Sequence, residues 1–154
     1  MLITPHLLTG AAIGATNLSP AISFTLAFLS HFVLDAIPHL ESTTFYKDKR
    51  KKIDEPVREE YYYAAVDAVI GIAIIFLIYF YFQNPLVLWG AFFGILPDII
   101  DNVPLWYGIR KFPVFHQLHQ LHDFIHFDLK KKYWVWGLIS QLIIIAAALF
   151  FCYN

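Results

Sequence analysis

The sequence predicts an all-α integral membrane protein, a helical bundle of about four spanning helices with a short N-terminal helix and an interfacial, His-rich helix. Three observations predict it. Hydrophobic residues make up 58% of the 154 positions and charged residues 15%, with a mean hydropathy of +0.56, far from the balance of a soluble domain. Two apolar runs, "AVIGIAIIFLIYFYF" and "YWVWGLISQLIIIAAALFF", are the hearts of segments long enough to cross a hydrocarbon layer. The charged residues fall in short clusters beside such runs, and the net charge is −1, which suits topology signals and argues against a nucleic-acid-binding face. With no Gly/Ser or Pro-rich linker, residues 1–154 read as one domain.

The elements follow in order. "TPHLLTG" opens a helix at Pro5, with Thr4 as N-cap, running to about Thr16; it is too short to span. Its start lacks the basic region and cleavage site of a secretory signal and is expected to stay in the mature protein. Ser19 caps a second helix from Pro20 to about Ala36, ended by Pro38. Residues 41–60 are the one long polar stretch. They read as a loop in water or at the headgroups that could also form a lid. A third helix, about Pro56 to Phe82, carries Tyr61, Tyr62 and Tyr63 as an interfacial belt. "QNP" breaks it, and a fourth helix reaches Pro97 and Asp98, where the proline is expected to end it. After the irregular 101–113 comes a His-rich helix over 114–128, then a last span entered through Lys130, Lys131 and Lys132. The lone Cys152, near the C-terminus, permits no intramolecular disulfide.

The positive-inside rule puts Lys47–Lys52, Arg110/Lys111 and Lys130–Lys132 on the cytoplasmic side. The chain is then a multi-pass protein of the inner (plasma) membrane with a cytoplasmic N-terminus. This topology brings His6, His31, Asp35, His39, Asp67, Asp98, Asp101 and the histidine helix to one level at the cytoplasmic boundary.

On the histidine helix, a 100° step per residue sets His116, His119, His122, Asp123 and His126 within one arc of about 120°. The plain alternative is a solvent-facing polar stripe, for which Lys, Glu or Gln would serve equally. His31 and Asp35, four residues apart, can chelate one ion or form a buried clamp between helices. Ionisable groups at membrane depth are costly and favour function. Mixed nitrogen and oxygen donors suit one or two divalent ions, zinc first, with manganese or iron as the other candidates. The expected metal ligands are His6, His31, Asp35, His39, Asp98, Asp101, His116, His119, His122 and His126. Asp67 and Asp123 are the candidates for general base. No nucleophile elbow or phosphate-binding loop is present, so metal-activated water is the one hydrolytic mechanism the residues offer.

"TPHLLTG", "SHFVLDAIPH", "GILPDIID" and the downstream histidines together resemble the YdjM-like family of membrane-bound metal-dependent hydrolases of bacteria and archaea. The resemblance implies metal-site roles for His6, His31, Asp35, Asp98, Asp101 and the histidines of "HQLHDFIH". The expected function is hydrolysis, at the cytoplasmic interface, of a small-molecule or lipid-derived phosphoester, with membrane lipid as a partner. The alternatives are a divalent metal-binding or transport protein without hydrolytic activity, and a haem protein with two axial histidines.

Overall fold

The computed structural model describes residues 1–45, 58–102 and 111–153. These residues form six α-helices and no strand: α1 (Ile3–Ala15), α2 (Pro20–Asp35), α3 (Arg58–Phe82), α4 (Leu86–Asn102), α5 (Pro113–Ile125) and α6 (Trp134–Tyr153), the last entered through a short turn of 3₁₀-helix at Lys131–Tyr133. The basic stretch Lys47–Lys52, Arg110 and the expected start of the third helix at Pro56 lie outside the described residues, as does most of the loop considered as a lid.

The all-helical expectation holds; the expectation of four spans does not. Among the described residues two helices are long and apolar enough to cross a membrane, α3 and the segment Lys131–Tyr153 that contains α6. Helices α2 and α4, with 16 and 17 residues, extend about 24–26 Å at 1.5 Å per residue, short of a hydrocarbon core of about 30 Å. The outer faces of α3 and α6 are apolar and exposed, with Val69, Leu77, Ile143 and Phe150 all more than 60% accessible.

The short first helix is the centre of the bundle. It packs on α4, α2, α6 and α3, and its Leu7, Leu8, Ala11 and Ala12 form the apolar core with Ile75 and Ile78 of α3, Val87 and Ala91 of α4, and Ala148 and Cys152 of α6. Glycines set the α1–α4 crossing. Gly10 and Gly14 face Gly90 and Gly94 so closely that a Cβ on Gly10 would collide with the Gly90 carbonyl, and one on Gly94 would lie 2.6 Å from the His6 carbonyl. Small residues four apart on both helices allow this backbone contact.

Two helix ends differ from expectation. Thr4 is not the N-cap of α1; it lies inside the helix and its hydroxyl donates to the Asp67 carbonyl at 3.0 Å. The cap comes instead from α3, where the Asp67 carboxylate accepts the backbone N–H of Ile3 and, at 3.1 Å, of Thr4. Helix α4 does not stop at Pro97 but continues to Asn102. A proline removes one donor without forbidding a further turn when neighbouring helices hold the segment. In consequence Asp98 and Asp101 sit three residues apart on a continued helix rather than in a solvated loop.

The last span carries its own fastening. Ser140 donates to the Pro38 carbonyl at 2.7 Å, and Gln141 donates to the Leu40 carbonyl at 3.3 Å while accepting the Leu2 N–H at 3.2 Å. These two polar side chains in an apolar helix fix residues 38–40 against α6. The segment after α5 completes the frame, with the Phe127 N–H on the Asp35 carbonyl at 2.8 Å and the Leu129 N–H on the His39 carbonyl at 2.9 Å.

Candidate metal centre

Asp35, the last residue of α2, is fully buried and stands at the middle of the site. Its Oδ2 lies 3.1 Å from His31 Nε2 and 3.0 Å from His122 Nε2. Its Oδ1 lies 2.8 Å from the Met1 α-amine, 3.2 Å from His6 Nε2 and 3.7 Å from His126 Nε2. Helix α2 supplies His31 one turn earlier, α1 supplies His6, and α5 with the strand-like segment after it supplies His122 and His126.

The donors form linked sets. His6, His31 and Asp98 make one; His31, Asp35 and His122 a second; Asp35, His39 and His126 a third; in each the ligand atoms lie within 4.8 Å of one another. A fourth, Asp101, His119 and Asp123, lies at the edge, where the Asp123 side chain is 70% exposed.

Two histidines are turned by the backbone. His31 Nδ1 donates to the Gly94 carbonyl at 2.9 Å, and His39 Nδ1 donates to the Ile37 carbonyl at 2.7 Å. A carbonyl oxygen can only accept, so the proton is fixed on Nδ1 and the Nε2 lone pair is left for a ligand. His39 Nε2 is buried with no hydrogen-bond partner among the described residues, and so are both ring nitrogens of His6. His6 Nε2 approaches Asp35 without the alignment of a hydrogen bond. Its ring stacks on His31 with centroids 4.0 Å apart.

His122 is held differently. Its Nδ1 donates to Asp101 Oδ2 at 3.1 Å and its Nε2 to Asp35 Oδ2 at 3.0 Å. Burial alone would push this imidazolium toward deprotonation. Its hydrogen bonds to Asp101 and Asp35 and the charge of Asp98 outweigh that and raise its pKa to about 10. Asp101 Oδ2 also accepts from His119 Nδ1 at 3.0 Å, and His119 Nε2 is 3.5 Å from Asp123. Polar contacts thus run from the buried centre to an exposed carboxylate.

Of the residues expected from sequence, the fold gathers His6, His31, Asp35, His39, Asp98, His122 and His126 around Asp35, and places Asp101, His119 and Asp123 beside them. His126 is not on the histidine helix; it follows the end of α5 in extended backbone, which is how it reaches Asp35. His116, in the first turn of α5, is exposed and belongs to none of the donor sets. Asp67 also lies outside them, engaged at the start of α1. One member was missed. Glu41 Oε1 is 2.8 Å from His126 Nε2, 4.0 Å from His39 Nε2 and 3.7 Å from the Met1 amine. Burial favours its protonation, but His126, His39 and the amine hold its carboxyl well below the usual range. The available signal was "PHLE", an alternating His-x-Glu after a proline, where side chains two apart share a side of an extended chain.

Comparison with known proteins finds no matching family model, no similar curated protein and no similar solved structure.

Proposed function

We propose that this chain is a membrane-bound metal-dependent hydrolase, holding one or two divalent ions in the donor sets around Asp35. The observation that carries the reading is the setting of His31 and His39. Each gives its Nδ1 proton to a backbone carbonyl and turns Nε2 toward buried carboxylates, the arrangement by which proteins orient metal-binding imidazoles. The buried ring nitrogens of His6 and His39 that make no hydrogen bond among the described residues support it further, since burying such atoms is costly unless a ligand satisfies them.

His31, Asp35 and His122 would hold one ion and Asp35, His39 and His126 a second, with His6 and Asp98 beside the first. Zinc suits the mixed donors best, followed by manganese or iron. A divalent ion bound there supplies Lewis acidity toward a phosphoester and toward water. The chain's own part is proton handling. Asp101 joins His122 to His119, and His119 faces Asp123, so a proton leaving the centre has an acceptor open to solvent, with Asp123 as terminal base. Asp67 keeps α1 in place by accepting the Ile3 and Thr4 N–H groups. The resemblance of "TPHLLTG", "SHFVLDAIPH" and "GILPDIID" to the YdjM-like hydrolases favours hydrolysis over transport, as does the gathering of all the donors at one end of the bundle.

The membrane reading puts the site at the cytoplasmic face of the inner membrane. Beyond α3 and α6, a stripe of exposed Ile22, Leu26, Leu29 and Val33 on α2 and Trp89 and Phe92 on α4 supports lipid contact for both shorter helices. Lys130 to Lys132 stand at the entry of α6 on the same end as the site, which supports a cytoplasmic placement.

Metal content of detergent-purified protein tests the reading. One or two zinc, manganese or iron ions per chain are expected by elemental mass spectrometry, and a His31→Ala/His122→Ala double variant should lose them together with phosphoester turnover. Equal metal in both proteins would defeat it.

A second expectation concerns pH. Without metal, the raised pKa of His122 stabilises the fold fully below its unfolded value of about 6.5, and that stability is lost as pH rises through about 10. Metal binding must displace the same proton, so apparent affinity should rise with pH across this window, by up to about tenfold per unit. Thermal melts in EDTA and metal titrations in parallel should therefore slope in opposite directions from pH 6.5 to 9. Parallel slopes would exclude His122 as a ligand.

A further inference from the structure

A cavity of about 550 Å³ lies beside the centre, well within the range of small-molecule sites of about 300–1,000 Å³. Its walls are apolar, formed by Leu2, Leu40, Phe45 and the ring of Tyr63, and its polar groups are Glu41, Ser42 and Lys131. Three features give it meaning. Glu41 belongs both to the cavity and to the centre, where it meets His126 at 2.8 Å, so the cavity ends against the candidate metal ligands. Lys131 stands just before α6, and it is the one cation in the lining among the described residues. Its neighbour Lys132 lies over the Tyr133 ring at 4.6 Å. The walls join the N-terminal segment, the loop after α2, the first turns of α3 and the entry of α6, which is the end of the bundle at which both long apolar helices meet the polar layer.

From these features we infer that the cavity is the apolar-chain subsite for the substrate, and that the substrate is a single-chain phosphomonoester amphiphile of the lysophosphatidate kind. Apolar walls take the first part of the chain, Lys131 attracts the phosphate, and the shared Glu41 edge places that phosphate beside the donor sets. A soluble phosphoester has no use for the apolar walls. Among the described residues the cavity walls one chain, and a two-chain lipid would leave its second chain without a wall. The inference deepens the hydrolase reading and rests on it for the chemistry at the headgroup.

The test is photo-crosslinking in phosphatidylcholine nanodiscs with a lysophosphatidate carrying a diazirine in its acyl chain, in EDTA throughout so that neither metal nor turnover contributes. Adducts are expected on Leu40–Phe45 and at Tyr63. Ser42→Trp, which fills the cavity from a half-buried position outside the donor sets, should lower them at least tenfold relative to adducts on the outer faces of α3 and α6. Lys131→Gln, at an exposed site, should lower labelling by the phosphate probe several-fold and leave a monoacylglycerol probe of the same chain unaffected. Labelling spread over the outer faces and indifferent to Ser42→Trp, or equal loss of both probes with Lys131→Gln, would overturn the inference. Metal content, read separately, decides the hydrolase reading, so either can fail without the other.

Discussion

An Asp35→Asn protein is expected to bind divalent metal at least a hundredfold more weakly than wild type and to be less stable by about 3–5 kcal/mol, the usual cost of removing one partner from a buried charge pair. The substitution keeps the size of the side chain and changes its charge. In the native site the two carboxylate oxygens meet His31, His122, His6 and the Met1 amine, each within 3.2 Å, and His126 at 3.7 Å. An amide offers one acceptor to this set and turns an N–H₂ toward groups that are themselves donors or require a lone-pair partner. Asp35 also belongs to two of the linked donor sets, so both ion positions weaken together. Asp123→Asn, at a largely exposed carboxylate, should leave metal content and stability near wild type while slowing turnover. Chemical unfolding in detergent and metal titration of the two variants check this. Full metal retention in Asp35→Asn would show that the cluster is a structural network of hydrogen bonds.

Gly90→Leu is expected to prevent assembly of the bundle, and Gly90→Ala to destabilise it by about 1–3 kcal/mol, the range of overpacking in a filled core. Any Cβ at Gly90 points at the Gly10 carbonyl and the Gly14 backbone, and backbone cannot swing aside as a side-chain tip can. The effect should reach the site, because α1 brings His6 and α4 brings Asp98 and the Gly94 carbonyl that orients His31. Metal affinity should fall in step with stability in Gly90→Ala. An equivalent change on an outer face, Ile70→Leu on α3, should do neither. Thermal stability by intrinsic fluorescence, with metal content on the same samples, provides the measurement. A Gly90→Leu protein that melts like wild type would mean that α1 and α4 do not cross this closely.

Composition and periodicity were enough for the helical class, for six helices and for the two long apolar ones, because apolar runs and their breakers act over a few residues. They were also enough to nominate most of the side chains that the fold gathers into the candidate site, since histidines and aspartates are conspicuous in a chain with few charges. The ends of elements were harder. The cap of α1 lies in α3, 63 residues away, and no local pattern announces it. The continuation of α4 through Pro97 depends on packing that holds the extra turn. The spacings Gly10-x-x-x-Gly14 and Gly90-x-x-x-Gly94 were present in the sequence, yet spacing does not say which helix faces which. Ser140 and Gln141 are likewise plain in the final apolar run, while their partners at Pro38, Leu40 and Leu2 are not.

The sequence by itself determined that this chain forms apolar helices and that its ionisable side chains are few and clustered. Tertiary structure alone decided that the short first helix is the hub, that Asp35 rather than the histidine helix is the middle of the site, that Glu41 joins it and that His116 does not. The reason is physical: hydropathy and helix signals are carried by neighbours in the chain, whereas the candidate site is a convergence of side chains from α1, α2, α4, α5 and two loops, fixed by glycine contacts and by the backbone carbonyls that His31 and His39 meet.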